Sequence, residues 1–543
     1  MVSVCPNRQE PGGNLKRYFM WRVKSLDAIL ATAEKKSLHR SLGPVQLTLL
    51  GIGAIIGTGI FVLTAAASQK AGPGMMISFV IAGAVCAVAA LCYSELAAMA
   101  PVSGSAYTYT YAVMGELLAW TVGWALILEY AVAASAVSVG WSGYVLGLIE
   151  NAMGFDFPDL LSAGPTWSMN GVIPVPDFSA GIVNIPAIVV ALLVTALLMV
   201  GTTESARVNA VLVVIKIAAL TAFIVLTLPV INTEHFTPFA PNGLFGSSSG
   251  MGIVGAAASI FFAYVGFDAV STAAEETKNP QRNVPIGLIG SLAICTLFYL
   301  LVAIGAVGAI GAQPVVGPAG EAVQPGSPAF VAACALADNA NKLVCSNEAL
   351  AHVLREINFP LVGNALGLAA MLALPSVILM MIYGQTRIFF VMARDGLLPE
   401  GLTKIHPKWK TPYIVTLFTG IAVAIAAALF PVGQLADISN SGTLFAFFMV
   451  SLAVLILRVK DPNRKRPFRT PLVWIFAPLS AFGCAFLFWN LPHDAKMVLP
   501  IWGGIGLVIY FLYGYRKSHL GRGLVEVHET DSDIPPPPVE PIV

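Results

Sequence analysis

The sequence predicts an all-α integral membrane protein with twelve transmembrane helices. Three observations lead there: an apolar content beyond what a soluble fold can bury, continuous apolar runs of helical length, and basic residues gathered on one side of those runs. Of the 543 residues, 57% are hydrophobic and 11% charged, and the mean hydropathy is +0.79. A soluble domain of this length needs far more charge on its surface, so lipid is the solvent for the stretches recurring from Leu42 to Tyr513.

Each crossing of the hydrocarbon takes about 20 residues as a helix. The runs fall at 42–67, 75–99, 115–148, 184–201, 208–229, 249–275, 286–311, 362–386, 412–430, 434–457, 471–490 and 497–514. They are apolar throughout rather than alternating, which disfavours a porin-like barrel. Ahead of them, residues 1–41 form a cytoplasmic segment without the apolar centre of a signal peptide. Its stretch Leu26–Leu42 sets Leu26, Ile29, Leu30 and Leu38 among Lys35, Lys36 and Arg40, the pattern of an amphipathic helix on the inner surface. Residues 311–359 form an outer loop longer than ordinary connections, with room for short helices and a lid. The tail 515–543 ends in DIPPPPVEPIV, Asp533–Val543, which reads as extended or disordered.

The basic residues set the orientation. With the N-terminus inside, the cytoplasmic segments hold Arg207, Lys278, Arg282, Arg387, Arg394, Lys404 and the cluster from Arg458 to Arg469, besides the basic residues of the first 40. Outside there remain Lys70, Lys342, Arg355 and Lys496. This asymmetry, with an even number of crossings, places both termini in the cytoplasm. Because the basic residues flank the membrane and the net charge is +1, nucleic acid is not an expected partner.

Two crossings are poorly made for continuous helices. The first carries Gly51, Gly53, Gly57 and Gly59, with Thr58, inside the run GIGAIIGTGIF; the sixth carries FFAYVGFD, placing Gly266 and Asp268 at similar depth. A glycine costs about 1 kcal/mol relative to alanine in a helix interior. Glycines in membrane helices also serve simple close packing, but two interruptions at matching positions, one beside an acid, favour unwinding. Broken helices in corresponding places of two halves mark a transporter's central site. Unwound backbone N–H and C=O groups there bind carboxylate and ammonium without many charged side chains.

Three charges stand well inside crossings, away from their ends: Glu129, Lys216 and Asp268. Lys216, in VLVVIKIAALTAF, has no acid within four residues, and intramembrane ionisable groups are functional candidates by default. Glu129 and Asp268 are expected to position a gate, hydrogen-bond unwound backbone or join a polar network, and Glu95, Glu275 and Glu276, nearer the cytoplasmic ends, to face Lys278 or Arg282 as inner-gate or loop-anchoring groups or else to lie at a solvated interface. Seven cysteines show no metal spacing, and no His/Cys/Asp constellation of catalytic spacing appears, so neither an enzyme nor a cofactor is expected. Cys334 and Cys345 share the outer loop, where an oxidising compartment permits a bridge; the sequence leaves them bridged or free.

Longer motifs make the chain recognisable. GIGAIIGTGIFVLT at 51–64, AGPG at 71–74, YSELAAMAPVSGSAYTY at 93–109, GWALILEY at 123–130, FFAYVGFDAVSTAAEETKNPQRNVP at 261–285 and YGQTRIFFVMARDGLLP at 383–399 follow in order. With them the chain resembles the amino acid–polyamine–organocation superfamily, and within it the bacterial relatives of the cationic amino acid transporters, over nearly all of residues 38–515. The resemblance implies a first five-helix repeat at 42–229, an inverted second repeat at 249–457 and two additional helices at 471–514, with helices 1 and 6 discontinuous. It implies a multi-pass protein of a bacterial inner membrane that carries amino acids by alternating access, working as a monomer with a small single-span accessory subunit as a candidate partner.

The same resemblance implies the site. Gly57, Thr58 and Gly59, with Ile55 beside them, are to offer backbone groups to the substrate carboxylate. Carbonyls around Phe262, Ala263 and Val265 are to take its ammonium, and Phe262 and Tyr264 to form a gate or pocket wall. A lysine at the place of Lys216 stands, in proton-coupled members, near the unwound first helix, and the resemblance thereby implies Lys216 as the proton-coupling site. Mammalian members of the cationic branch have a small residue where this chain has Met381, so a bulkier thioether shortens the cavity and directs expectation to small or medium neutral L-amino acids, with cationic uptake or exchange as the alternatives. Protons are the expected coupling ion.

Overall fold

The computed structural model describes residues 22–24, 26, 42–101, 104–155, 157–170, 173–178, 181–201, 206–246, 250–274, 277–317, 320–339, 341–409 and 411–522. The amphipathic stretch expected at Leu26–Leu42, apart from its two end residues, the proline-rich tail, and Glu275 and Glu276 lie outside the described residues. Among the described residues, seven helical stretches are long and apolar enough to cross a membrane: Leu63–Met99, Glu116–Met153, Val208–Val230, Pro280–Ile310, Pro360–Arg394, Val432–Lys460 and His493–Lys517. Five apolar helices are shorter: Pro44–Ile55, Ile185–Val200, Gly252–Tyr264, Tyr413–Leu429 and Val473–Trp489. An all-α, multi-spanning membrane architecture follows.

Burial ranks these helices by their place in the bundle. The apolar window of Glu116–Met153 is 83% buried and that of His493–Lys517 only 17%, so the first is a central pillar and the second lies at the periphery. The difference is readable in side chains. The pillar buries Trp120, Glu129, Tyr130 and Tyr144 completely or nearly so, whereas Trp474, Phe482, Ile501 and Leu512 of the last two helices are exposed apolar residues, as lipid contact demands.

Several shorter elements lie outside the twelve expected runs. A helix over Ser105–Met114 buries Tyr107, Tyr109 and Tyr111 between the expected second and third crossings. Between the pillar and the Ile185–Val200 helix, Thr166–Asn170 and Ile173–Asp177 pair as an antiparallel hairpin, with Thr166 opposite Asp177. The outer loop carries a helix at Pro328–Cys334, a 3₁₀ turn at Leu343–Cys345 and a helix at Ala349–Glu356. Cys334 and Cys345 are bridged in the structure. Glu348, against the pillar at Gly147, is paired with Arg355 through Oε2 at 3.1 Å; burial pushes its carboxyl up from the usual carboxylate range and the guanidinium partly offsets this.

The first and last described segments share one face. The amide of Glu116 donates to the carbonyl of Arg22 at 2.8 Å, and the Arg22 guanidinium lies 4.6 Å from the ring centre of Tyr515. Glu116 also accepts from Tyr510 at 2.9 Å and Ser518 at 2.5 Å.

Candidate functional site: where two helix breaks meet

Helix Pro44–Ile55 ends where Ile56 turns extended, at φ −71° and ψ 95°. Gly57 follows at φ −143° and ψ −150°, then a four-residue helix Thr58–Phe61, and after Val62 the chain resumes as Leu63–Ala71. The second interruption is built alike. Helix Gly252–Ile260 tightens into a 3₁₀ turn at Phe261–Tyr264, Val265 is extended at ψ 137°, Gly266 has φ +109°, and Ala269–Thr272 is a single helical turn.

The two interruptions touch. A Cβ built on Gly59 stands 2.3 Å from Ala263 Cα, and one on Gly266 stands 2.9 Å from the Ala54 carbonyl oxygen. Both approaches exclude any side chain, and the positive φ at Gly266 adds a second reason for glycine there. Ile55, Gly57, Thr58, Gly59, Phe262, Ala263 and Val265 are therefore brought together, all of them buried. N–H groups in the first turn of Thr58–Phe61 have no partner within that turn, which leaves donors on one side of the junction and carbonyls on the other.

One residue that sequence reasoning passed over ties the breaks together. The Tyr299 hydroxyl lies 2.8 Å from the carbonyl oxygen of Ile55 and 2.9 Å from that of Ala263. A phenol has one proton to donate, so it serves one of these carbonyls at a time. The available hint was a tyrosine in the middle of the apolar run CTLFYLLVAIG. Asn440 was also passed over; its amide donates to the carbonyls of Ala258 at 2.8 Å and Ser259 at 3.0 Å, holding the end of the helix that leads into the second break.

Lys216 stands beside the first break. It is 1% exposed, and its ammonium donates to the Gly53 carbonyl at 2.8 Å, within the last turn of Pro44–Ile55. Met381 is buried on the Pro360–Arg394 helix, one turn beyond Val377, whose methyl group lies 3.4 Å from a Cβ placed on Gly57. Residues four apart share a helix face, so Met381 is on the face that meets the break.

The Tyr264 hydroxyl donates to the Phe79 carbonyl at 3.0 Å and its ring packs at 5.4 Å on that of Tyr299, the residue that bridges the two breaks. Asp268 joins a polar network: Tyr130 donates to its carboxylate at 2.9 Å and Ser271 caps its carbonyl at 2.6 Å. Glu129, fully buried, has Asp268 and Thr443 as polar neighbours.

Polar clusters close the bundle on either side. Lys70, 2% exposed, pairs with Asp437 at 2.9 Å, and Ser259 bonds to both, linking the helix after the first break and the helix before the second to the Val432–Lys460 helix. At the other end, Glu95 is held by Arg458 at 2.8 and 2.7 Å, by Arg466 at 3.2 Å and by the Thr470 amide at 2.8 Å. The expectation that Glu95 faces Lys278 or Arg282 is thus corrected: Arg458, in the last turn of Val432–Lys460, offers a planar, bidentate partner that a lysine cannot, and Arg466 beyond the helix adds a second guanidinium.

Comparison with known proteins agrees in extent with this architecture. Residues 42–511 match the family model described as amino acid permease. The chain is 43% identical over 504 residues to the branched-chain amino acid permease BcaP of Bacillus subtilis (strain 168), covering 93% of this chain and 99% of that protein. It is 39% identical, with the same coverage, to the methylthioribose transporter of that organism. It is 32% identical over 501 residues to the chloroplastic cationic amino acid transporter 9 of Arabidopsis thaliana, covering 90% of this chain and 80% of that one.

Proposed function

The chain belongs to the amino acid permease family, whose members are secondary active transporters rather than enzymes, and from that premise we propose that it imports small or medium neutral L-amino acids with a proton by alternating access. The observation that carries the reading is the junction of the two helix breaks, with Gly59 against Ala263 and Tyr299 between the carbonyls of Ile55 and Ala263. A zwitterion matches it: unpaired N–H groups of the Gly57–Gly59 turn receive the carboxylate, and carbonyls about Phe262, Ala263 and Val265 receive the ammonium. Each carbonyl keeps a second lone pair after accepting one protein bond.

The seven long and five short apolar stretches support twelve crossings, the broken ones being the first and sixth of two inverted five-helix repeats. Contact of Arg22 with Tyr515 supports both termini on one side, and the basic residues make that side the cytoplasm of a bacterial cell. Lys216 is the coupling group. Protonated, it holds the Gly53 carbonyl and the first break in one arrangement; on losing its proton to the cytoplasm, it lets that helix move. A proton entering with a neutral amino acid brings one charge across the membrane, roughly 2.3 kcal/mol per 100 mV. The protein works as a monomer, with or without a single-span partner.

Met381 on the break-facing surface favours neutral over long cationic substrates, in keeping with the name of the branched-chain relative. Accumulation of radiolabelled amino acids in proteoliposomes, with and without an imposed proton gradient, tests substrate and energetics together. Leucine, alanine, lysine, arginine and methylthioribose compete in the same assay. Gradient-driven leucine or alanine uptake resistant to arginine is expected; preference for arginine, preference for methylthioribose, or uptake indifferent to the gradient would each displace the reading.

A further inference from the structure

We propose that Gly140 is a positioning residue for the substrate: by lacking a side chain it lets the Glu116–Met153 helix close on the first break and hold Thr58 where its hydroxyl is left for the substrate carboxylate. This rests on the amino acid reading above. The segment Thr58–Phe61 is only four residues long, bounded by the non-helical Gly57 and Val62, and is closed by two backbone bonds, from the Phe61 amide to the Gly57 carbonyl at 3.4 Å and from the Val62 amide to the Thr58 carbonyl at 2.9 Å. So short a turn has little stability of its own. Lateral contacts must place it.

The pillar helix supplies two such contacts one turn apart. Tyr144 donates to the Phe61 carbonyl at 2.7 Å and sets its ring edge-on to that of Phe61 at 5.8 Å. Gly140 meets Thr58 itself: a Cβ there would lie 2.4 Å from Thr58 Cγ2, 2.9 Å from Oγ1 and 3.2 Å from Cβ. Thr58 is 0% exposed, and its Oγ1 is a buried hydroxyl with no hydrogen-bond partner among the described residues. Buried hydroxyls are nearly always satisfied, and one left open at a helix break beside unpaired N–H groups is suited to an anionic oxygen arriving with a ligand. The segment cannot yield freely, because Gly59 on the same turn is pressed against Ala263.

The arrangement predicts a specific pattern of rescue. Gly140→Ala drives Thr58 through its methyl group, whereas Thr58→Ser removes that methyl and keeps the hydroxyl. Saturation binding of radiolabelled L-leucine and L-alanine to purified full-length protein is measured for wild type, G140A, T58S, G140A/T58S and T58A. G140A is expected to weaken binding about tenfold, equivalent to 1.4 kcal/mol, while the same substitution in the T58S background costs less than about twofold, the signature of two coupled sites. Unchanged affinity in G140A, or an equal loss in both backgrounds, overturns the proposal, since the added methyl then acts elsewhere or not at all. If G140A does not accumulate as folded protein, T58A decides: a loss of about tenfold or more supports the hydroxyl's role and wild-type affinity overturns it. Failure of wild type itself to bind any amino acid counts instead against the substrate reading.

Discussion

Replacing Lys216 with alanine should separate transport from its driving force. The ammonium donates to the Gly53 carbonyl at 2.8 Å in a site that is 1% exposed. A hydrogen bond from a charged donor contributes about 1.5–3 kcal/mol net, against about 0.5–1.5 for a neutral one. Loss of the proton therefore weakens the tie to the first break by about 1–1.5 kcal/mol, enough to change the ratio of two conformations about tenfold. In the alanine variant the tie is absent in both protonation states, and the proton no longer discriminates between them. Wild-type proteoliposomes under a 100 mV potential have roughly 2.3 kcal/mol per charge available, which permits roughly fiftyfold accumulation. The variant should fall toward equal concentrations inside and out, while counterflow of labelled against unlabelled substrate continues. Accumulation at the wild-type level by Lys216→Ala would remove the residue from coupling.

Three further outcomes follow from the geometry. Met381→Ser, on the face meeting Gly57, should widen the accepted range toward lysine and arginine in competition assays; an unchanged profile would take Met381 out of the pocket. Asp437→Asn leaves the buried Lys70 ammonium without its carboxylate and should lower folding stability by about 3–5 kcal/mol, read as a reduced Tm in detergent, with K70M/D437L less affected than D437N; equal melting of D437N and wild type would show that the pair contributes nothing. Tyr299→Phe strips the donor shared by the Ile55 and Ala263 carbonyls and should cost about 1–3 kcal/mol, with L-leucine binding restoring part of the lost Tm because its ammonium supplies donors; a Tm equal to wild type contradicts the role of the hydroxyl.

Lipid as solvent makes part of this protein legible from its sequence. Every buried backbone group in hydrocarbon must be paired, within a helix or around a closed barrel; runs that are apolar throughout rather than alternating select the helix, and the basic residues that bound them mark where the helices lie. The same rule made the breaks visible: glycines at 51–59 and at 266 are costly in a continuous helix and tolerable only where something else satisfies the backbone. Lys216 stood out because charge is rare at such depth. Local sequence determined these features because each depends on residues within a turn or two.

What only the tertiary structure decided were meetings across the chain. That Gly59 lies on Ala263, that Tyr299 spans two carbonyls 208 residues apart in sequence, that Lys70 closes on Asp437 and that Glu95 takes Arg458 rather than Lys278 are matters of which helix faces which. Tyr264 shows the same dependence: its motif suggested a gate or pocket wall, and its partners, the Phe79 carbonyl and the Tyr299 ring, come from other helices. In an apolar bundle nearly every face is equally greasy, so hydrophobicity does not choose partners. Small residues that permit close approach and a few hydrogen bonds choose them, and their geometry exists only once the helices are assembled.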